Sequence, residues 1–308
     1  LEQAAYDAQQ SSEHYQRHVI LLTDGMVDID RDQQRNQQER QRILKEILPM
    51  YAAAGITLHT IALSDNADNS LLNKLALKTD GKASIAKTAD ELMNVFLQVF
   101  DQAVPMEEAI FDGNSFVVDS SIEEFTALIF RQPNAKETEI MAPDGQTYHR
   151  QSKDPLLNWH HTDQYDMITF AQPLEGEWKV SADLEPQSRV TVVSDLSIAV
   201  KTMPTNIALN ERVETTLALK EESQTITRLE FLGLLDIDVA VSADNGKEWQ
   251  QRLSKNLVPE DGLYPVSLDQ FDQEGQYSIT FIVDGKSFKR QYTHQLSVRK
   301  PFLVDVEK

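Results

Sequence analysis

The chain has 308 residues, and its 49 Asp and Glu residues outnumber 29 Lys and Arg residues, giving a formal net charge of -20. A field of this sign repels nucleic-acid phosphates and anionic lipid, so neither is an expected partner. Cysteine is absent, which excludes disulfides, thiol catalysis and thiolate metal sites. No apolar run reaches the roughly 18 residues that a membrane-spanning helix needs. The chain begins with Leu1 and carries no signal peptide, so we expect it to be a piece of a longer protein.

The first third of the chain alternates strand-like with helical stretches. Residues 18–22 form a continuous apolar run, which is typical of a strand buried on both faces. Residues 43–51 carry apolar side chains at helical spacing, and Gly55 fits the position just past a helix end. Strands are also predicted over residues 56–63 and 82–86, helices over 69–78 and 90–100, and the end of a helix over 1–17. This alternation predicts a parallel α/β sheet within residues 1–105.

After residue 106 the apolar pattern changes to a period of two. A first set of strands is predicted over residues 125–130, 137–141, 167–170, 178–182 and 190–193. A second set is predicted over 213–219, 234–241, 264–268, 277–283 and 292–298. Turn residues such as Pro143-Asp144-Gly145 separate the strands. The sequence therefore predicts two immunoglobulin-like β-sandwich domains, over 106–201 and 202–308, with a boundary near residues 201–204.

One short motif, Leu21-Leu22-Thr23-Asp24-Gly25, closes the first predicted strand. Ligands of open parallel sheets bind beyond the carboxyl ends of the strands, which is where Asp24 falls. A carboxylate there suits a hard cation such as Mg²⁺, either as a ligand or through a bound water. Taken alone, an Asp-Gly pair after a strand is more often an ordinary turn.

Residues 18–103 resemble the second half of a von Willebrand factor A (VWA) domain. The matching segments are HVILLTDG and, after a helix, AAAGITLHTIALSDNADNSLLNKLALKTDGKASIAKTADELMNVF. The resemblance implies a partial, Rossmann-like α/β domain, in which Asp24 belongs to the third loop of a metal-ion-dependent adhesion site and Thr23 and Gly25 shape that loop. In this family the other two loops lie in the first half of the domain, which this chain lacks. We therefore expect Mg²⁺ or another divalent cation only in the intact parent.

Other candidate sites are predicted to be structural. The segment Asp119-Ser120-Ser121 partly matches the family's first metal loop, but Glu123 replaces the final serine, so we interpret it, like Asp195, as a turn. Asp28, Asp30 and Asp32 lack the glycine that a calcium loop requires and are predicted to form a solvated helix start. His160 and His161 are predicted to be loop residues, His59 a hydrogen-bonded core or edge residue, and Trp159, Trp178 and Trp249 core residues of the sandwiches.

The β-rich part of the chain also resembles a known family. The segments FVVDSS, ALIF, APDG and GEWKV are similar to the sandwich after the A domain in calcium-activated chloride channel regulators. The segments EDGLY and EGQYSI are similar to the later immunoglobulin-like domain of those proteins. Their His-Glu-x-x-His protease motif is absent here, so protease activity does not carry over. Similar arrangements in bacterial envelope proteins imply a location in the periplasm or cell envelope.

These observations favour a non-enzymatic module that binds a protein ligand through the carboxyl edge of the α/β sheet. In an intact member of the VWA family, a cation held by three loops keeps one coordination position open for an acidic residue of the partner. Two alternatives stay open. The chain is either a purely structural spacer and assembly platform, or an accessory region of a larger enzyme whose catalytic part lies elsewhere.

Overall fold

The computed structural model describes residues 1–6, 17–104, 106–132, 135–254 and 258–300. Helix α1 (Glu2–Tyr6) covers part of the helix end predicted over residues 1–17, and residues 7–16 of that prediction lie outside the described residues. The same holds for residues 301–308 of the predicted last domain. Within the described ranges, no helix is long and apolar enough to cross a membrane.

The amino-terminal part is a small parallel α/β unit. Its elements are β1 (Arg17–Thr23), α2 (Gln33–Arg42), α3 (Leu48–Ala53), β2 (Ile56–Ala62), α4 (Asn69–Lys78), β3 (Ala83–Ile85) and α5 (Ala89–Ala103). The three strands lie in the order β1-β2-β3, and all the pairings are parallel, as predicted. A π-helical turn, Ile43–Ile47, joins α2 to α3.

Local signals in the sequence set the ends of these helices. The side chains of Asp32, Asp68 and Thr88 each accept a hydrogen bond from a backbone N–H in the first turn of α2, α4 and α5, respectively. Gly55 has a φ of 64°, so the predicted glycine just past a helix end is confirmed. The helices cover β2 with a core that includes Ile47, Leu48, Tyr51, Ile56, Leu58, Leu71 and Leu75.

The first β-sandwich follows directly. Its strands are β4 (Glu107–Ala109), β5 (Ser115–Val118), β6 (Ile122–Phe130), β7 (Glu139–Met141), β8 (Thr147–Tyr148), β9 (Leu157–His161), β10 (Tyr165–Ala171), β11 (Gly176–Ser181) and β12 (Arg189–Ser194). A four-stranded sheet, β5-β11-β7-β8, packs against the β12-β6-β10-β9 side. Trp178, which is 0% exposed, contacts Phe125 and Phe170 in this core, so its predicted core position is confirmed.

The second β-sandwich has the strands β13 (Leu196–Val200), β14 (Asn206–Ala208), β15 (Val213–Glu221), β16 (Gln224–Thr225), β17 (Asp236–Ala243), β18 (Glu248–Arg252), β19 (Leu263–Leu268), β20 (Gly275–Asp284) and β21 (Lys289–Arg299). It also contains the short helix α6 (Leu229–Leu232). Strands β13, β15, β16 and β19 form one sheet, and β17, β18, β20 and β21 belong to the facing one. Trp249 packs against Phe271 and Tyr277 at the edge of this core.

The two sandwiches share one sheet, which the sequence did not predict. Strand β4 pairs antiparallel with β12 of the first sandwich and with β21 of the second. A single sheet of ten strands therefore runs through both sandwiches. The described chain is thus mostly β, with a small α/β unit at its amino-terminal end.

The α/β unit is attached to both sandwiches by polar contacts. The Arg189 guanidinium on β12 donates to the two carboxylate oxygens of Asp101 on α5, at 2.6 and 2.7 Å. Asp80, in the turn after α4, accepts a hydrogen bond of 2.8 Å from the hydroxyl of Thr205, just before β14. The side chain of Asn206 donates to the Gly81 carbonyl at 3.0 Å.

Candidate functional site

The loop after β1 is fixed by backbone contacts to the segment that follows β2. The Leu63 N–H donates to the Thr23 carbonyl at 2.8 Å, which extends the β1–β2 pairing by one bond. The Ser64 hydroxyl donates to the carbonyl of Asp24 at 2.7 Å. Next to it, the Gly25 N–H lies 3.4 Å from the hydroxyl oxygen of Thr23. The loop that carries Asp24 therefore has a defined backbone shape at the carboxyl end of a parallel strand.

Asp24 itself is exposed at this strand end. Its carboxylate takes part in no hydrogen bond or ion pair with the described residues. It lines an open depression of about 840 Å³, together with Gly25, Met26, Val27, Asp28, Asp30, Arg31, Gln33, Asn36, Gln37, Arg40 and Asp68. A charged group of a ligand could therefore contact Asp24 without first displacing a partner within the described chain.

The other carboxylates of the depression have partners. Asp68 pairs with the Arg40 guanidinium, which holds the pKa of Asp68 below its usual range. Asp30 pairs with Arg35 at 2.7 Å. Asp28 accepts a hydrogen bond of 3.2 Å from the side-chain amide of Asn36. The predicted solvated helix start is confirmed, because Asp32 caps α2 directly after these residues.

The residues of this depression do not fit a Mg²⁺ site. Magnesium prefers six oxygen ligands in near-octahedral geometry. Among the residues that the structure describes, no group of three or more His, Asp or Glu side chains could hold a metal ion. The Asp68 carboxylate is also paired with the nearby Arg40, which leaves it less available to a cation.

The two Asp-Ser segments considered above are turns. Asp119 lies in the turn between β5 and β6, where its carboxylate accepts hydrogen bonds from the backbone N–H and the hydroxyl of Ser121, at 2.9 and 2.5 Å. Its other carboxylate oxygen pairs with Arg290 of the second sandwich. Asp195 lies in the bend between β12 and β13. Neither segment follows a parallel strand, so neither supplies the displaced metal loop.

The prediction that His160 and His161 are loop residues is wrong, because both lie on β9. Their side chains point to opposite faces, and only His161 reaches Asp166 on β10, with Nδ1 2.7 Å from a carboxylate oxygen. Asp166 also accepts hydrogen bonds from the Thr138 hydroxyl and the Trp159 indole N–H, at 2.6 and 2.9 Å. The Arg131 guanidinium lies 3.0 Å away. This buried cluster has no local signal in the sequence.

His59 is a buried residue of β2, as predicted, and is 0% exposed. Its Nδ1 accepts a hydrogen bond from the Lys82 N–H at 3.1 Å. Its Nε2 lies 3.0 Å from Nδ1 of His18 on β1. Burial, with the nearby charges of His18 and Lys82, lowers the pKa of His59 to about 4. His59 is therefore a neutral histidine that joins β1, β2 and the start of β3.

Comparisons with known proteins bear mainly on the β-rich part. The family model for the Hemicentin galactose-binding domain-like family matches residues 103–197, which include β4 to β12. No curated protein matches the chain. A Legionella pneumophila protein of the DUF4785 family is 13% identical, with a TM-score of 0.42, and covers 63% of this chain and 60% of its own.

Two further solved structures have lower TM-scores. A von Willebrand factor type A protein from Catenulispora acidiphila is 15% identical, with a TM-score of 0.24, covering 71% of this chain and 42% of its own. A Bacillus licheniformis lipase in propeptide form is 12% identical, with a TM-score of 0.32, covering 96% of this chain and 82% of its own. The chain thus spans less than two thirds of the Legionella and Catenulispora proteins. In sum, the chain is mostly β, its first sandwich matches a galactose-binding-like family, and its likeness to a VWA structure is weak.

Proposed function

We propose that the chain is a non-enzymatic binding and scaffold module of a bacterial cell envelope, and that the Asp24 loop contacts a protein ligand. The observation that carries this proposal is the exposed Asp24 carboxylate at the carboxyl end of β1, which is unpaired among the described residues, whereas Asp30 and Asp68 nearby are paired with arginines. Since ligands of open parallel sheets approach this end of the strands, the position suits a contact residue.

The contact that we propose is direct. An ionised carboxylate at the surface attracts a lysine or arginine side chain of a partner, and the net charge of -20 steers a basic surface towards the chain. The sandwiches, joined by a continuous sheet, would hold the α/β unit at a fixed distance from whatever binds their far end.

A capture experiment tests this function. The immobilised full chain and its Asp24→Ala variant are incubated with a cell-envelope extract, and bound proteins are quantified by mass spectrometry. We expect the unmodified chain to retain at least one protein in an amount at least tenfold greater than Asp24→Ala retains. Asp32→Ala, which alters the helix cap in the same region, is the control and should retain it. A set of bound proteins that does not depend on Asp24 would contradict the proposal.

Repeating the capture in Mg²⁺ and in EDTA tests the metal directly. Equal retention in both is the result expected for a direct contact. Loss of the bound protein in EDTA would instead indicate that a divalent cation is held with help from residues outside the described ones.

A second candidate function is carbohydrate binding by the first sandwich, which the family match over residues 103–197 favours. Carbohydrate binding is tested by titrating the full chain with galactose and recording the NMR spectrum at each concentration. Shifts confined to residues of β4 to β12, and absent with an equal concentration of mannitol, would support this function over the first. An unchanged spectrum at millimolar galactose would oppose it.

A further inference from the structure

The junction between the two sandwiches is partly buried and carries more carboxylates than closely paired cations. It is built on β4, whose three residues pair with β12 on one side, and of which Glu108 and Ala109 pair with β21 on the other. Because side chains alternate along a strand, Glu107 faces one side of the sheet and Glu108 the other. Each glutamate has its own set of neighbours, and together these two sets form the junction cluster.

On the first face, the guanidinium of Arg290 pairs with Asp119 and acts on Glu107 only through its charge. One carboxylate oxygen of Glu107 accepts a hydrogen bond of 2.7 Å from the Ile198 N–H on β13, and the other oxygen is buried without a partner in the described chain. Arg290, which is 1% exposed, pairs through Nη2 with Asp119. Its Nε and Nη1 are likewise buried and unbonded within the described ranges. Negative charge on this face is therefore incompletely balanced.

On the second face, Glu108 and Asp101 share Arg189. The guanidinium of Arg189 donates to both carboxylate oxygens of Asp101 and lies 4.0 Å from Glu108. Glu108 accepts a hydrogen bond of 2.7 Å from the Gln291 side chain on β21. The charge of the Lys82 ammonium group also interacts with Asp101, but this group donates its hydrogen bond to the Gln98 side chain, at 2.8 Å. Carboxylates again outnumber the closely paired cations.

We propose that the junction cluster is a pH-responsive latch, in which proton uptake by Glu107 in mildly acidic solution tightens the contact between the two sandwiches and proton loss loosens it. An ionised carboxylate that is shielded from water and incompletely paired is costly. When Glu107 is protonated, its carboxyl still accepts the hydrogen bond from the Ile198 N–H, and it no longer places a second negative charge near Asp119.

The direction of the pH effect follows from the pKa of Glu107. Burial raises it from 4.5 to about 7, Asp119 adds to this rise, and the Ile198 N–H and Arg290 oppose it. Burial also raises the pKa of Glu108 and of Asp101. A carboxyl whose pKa is higher in the folded than in the unfolded chain binds its proton more tightly when folded. The stabilisation that the Glu107 proton contributes is thus fully present below about pH 4.5 and is lost as pH rises through about 7.

Thermal unfolding of the full chain and its Glu107→Gln variant, compared at pH 5.5 and pH 8, tests the latch. Glutamine keeps an acceptor for the Ile198 N–H but carries no charge. We expect the unmodified chain to lose about 3 °C in Tm relative to the variant between the two pH values, because the buried histidines act on both chains alike and cancel in this difference. Glu214→Gln is the matched control, because the Glu214 side chain is 73% exposed, and it should keep the full pH dependence. An equal pH dependence in Glu107→Gln and the unmodified chain would overturn the proposal.

A distance measurement separates loosening of the junction from a general loss of stability. Because the chain has no cysteine, Thr147→Cys in the first sandwich and Glu248→Cys in the second allow specific spin labels. We expect the distribution of label distances to broaden from pH 5.5 to pH 8, and to stay narrow at both pH values when Glu107→Gln is added. A distribution that does not change with pH in the labelled chain would overturn the latch even if its Tm changes.

Discussion

Asp166 is the most completely enclosed carboxylate of the first sandwich, at 1% exposure. Burial acts to raise its pKa, but hydrogen bonds from Thr138, Trp159 and His161, with the charge of Arg131, outweigh burial and hold the pKa below its usual value. Because the pKa is lower in the folded chain, the stabilisation is present above the unfolded pKa and is lost as pH falls towards the folded one. The negative charge of Asp166 thus stabilises the edge of the ten-stranded sheet, where β9 pairs with β10 and, within the described ranges, with no further strand.

We predict that Asp166→Asn destabilises the chain by about 2–4 kcal/mol at neutral pH, because it leaves the buried Arg131 guanidinium without its counter-charge. Urea unfolding followed by circular dichroism measures the change. Asp163→Asn, in the exposed turn between β9 and β10, is the control and should lie within about 0.5 kcal/mol of the unmodified chain. Equal effects of the two substitutions would show that the cluster around Asp166 adds no stability.

The buried polar residues around His59, Asp166 and Arg290 were predictable only in part. His59 lies in an apolar run, so its buried position followed from the sequence. His161 and Asp166 are five residues apart and meet across a tight connection between β9 and β10, so their pairing depends on a hairpin that the sequence pattern did not indicate. The pairing of Asp119 with Arg290 spans 171 positions, and no local pattern reports such a contact.

At the scale of elements, β1 is an edge strand of the α/β sheet. Within the described residues it pairs on one side only, with β2, and Leu22 at its end is 42% exposed. Helix α5 has the amphipathic character predicted from its sequence, yet Phe96 and Phe100 on it are 40% and 42% exposed. An unpaired strand edge that carries an exposed apolar side chain, as Leu22 does on β1, favours exchange with solvent and association between chains.

We therefore predict that the amides of β1 that point away from β2 exchange hydrogen at least tenfold faster than those of β2. Hydrogen exchange of the full chain, followed by NMR, gives both rates in one sample. Sedimentation at increasing concentration tests the second effect, self-association, which should increase the apparent mass. Uniform strong protection across β1 and β2 in a monomer would be the contrary result.

The predicted elements were most accurate where a helix cap and an apolar period coincide. The helix predicted over residues 69–78 is confirmed as α4 with the same bounds, because Asp68 caps it and its leucines face β2. Several short strands were not predicted, among them β14, β16 and β18. These strands have two to five residues and exist through pairing with distant neighbours, such as that of β14 with β21. Propensity alone does not indicate strands of this kind.

At the scale of the whole molecule, β4 makes the two sandwiches one structural unit, since their ladders continue through it. We predict that the two sandwiches unfold in a single transition. Two variants, each keeping one tryptophan, Trp178 in the first core or Trp249 in the second, report on the sandwiches separately by fluorescence. In each variant, the urea midpoint from tryptophan fluorescence should coincide at pH 5.5 with the midpoint from far-ultraviolet circular dichroism, which reports on both sandwiches. Separate midpoints within one variant at that pH would show that β4 does not couple the sandwiches.

The placement of β4 also limits which changes in length the chain can tolerate. Side chains on a strand alternate between faces, so inserting one residue before Glu107 would turn each glutamate towards the wrong partners. Glu107 would then lie opposite Gln291, on the face of the sheet away from Asp119, and Glu108 would lie opposite Arg290. Homologous sequences should therefore vary in the length of their surface hairpins, while the spacing between the last helix of the α/β unit and this joining strand stays constant.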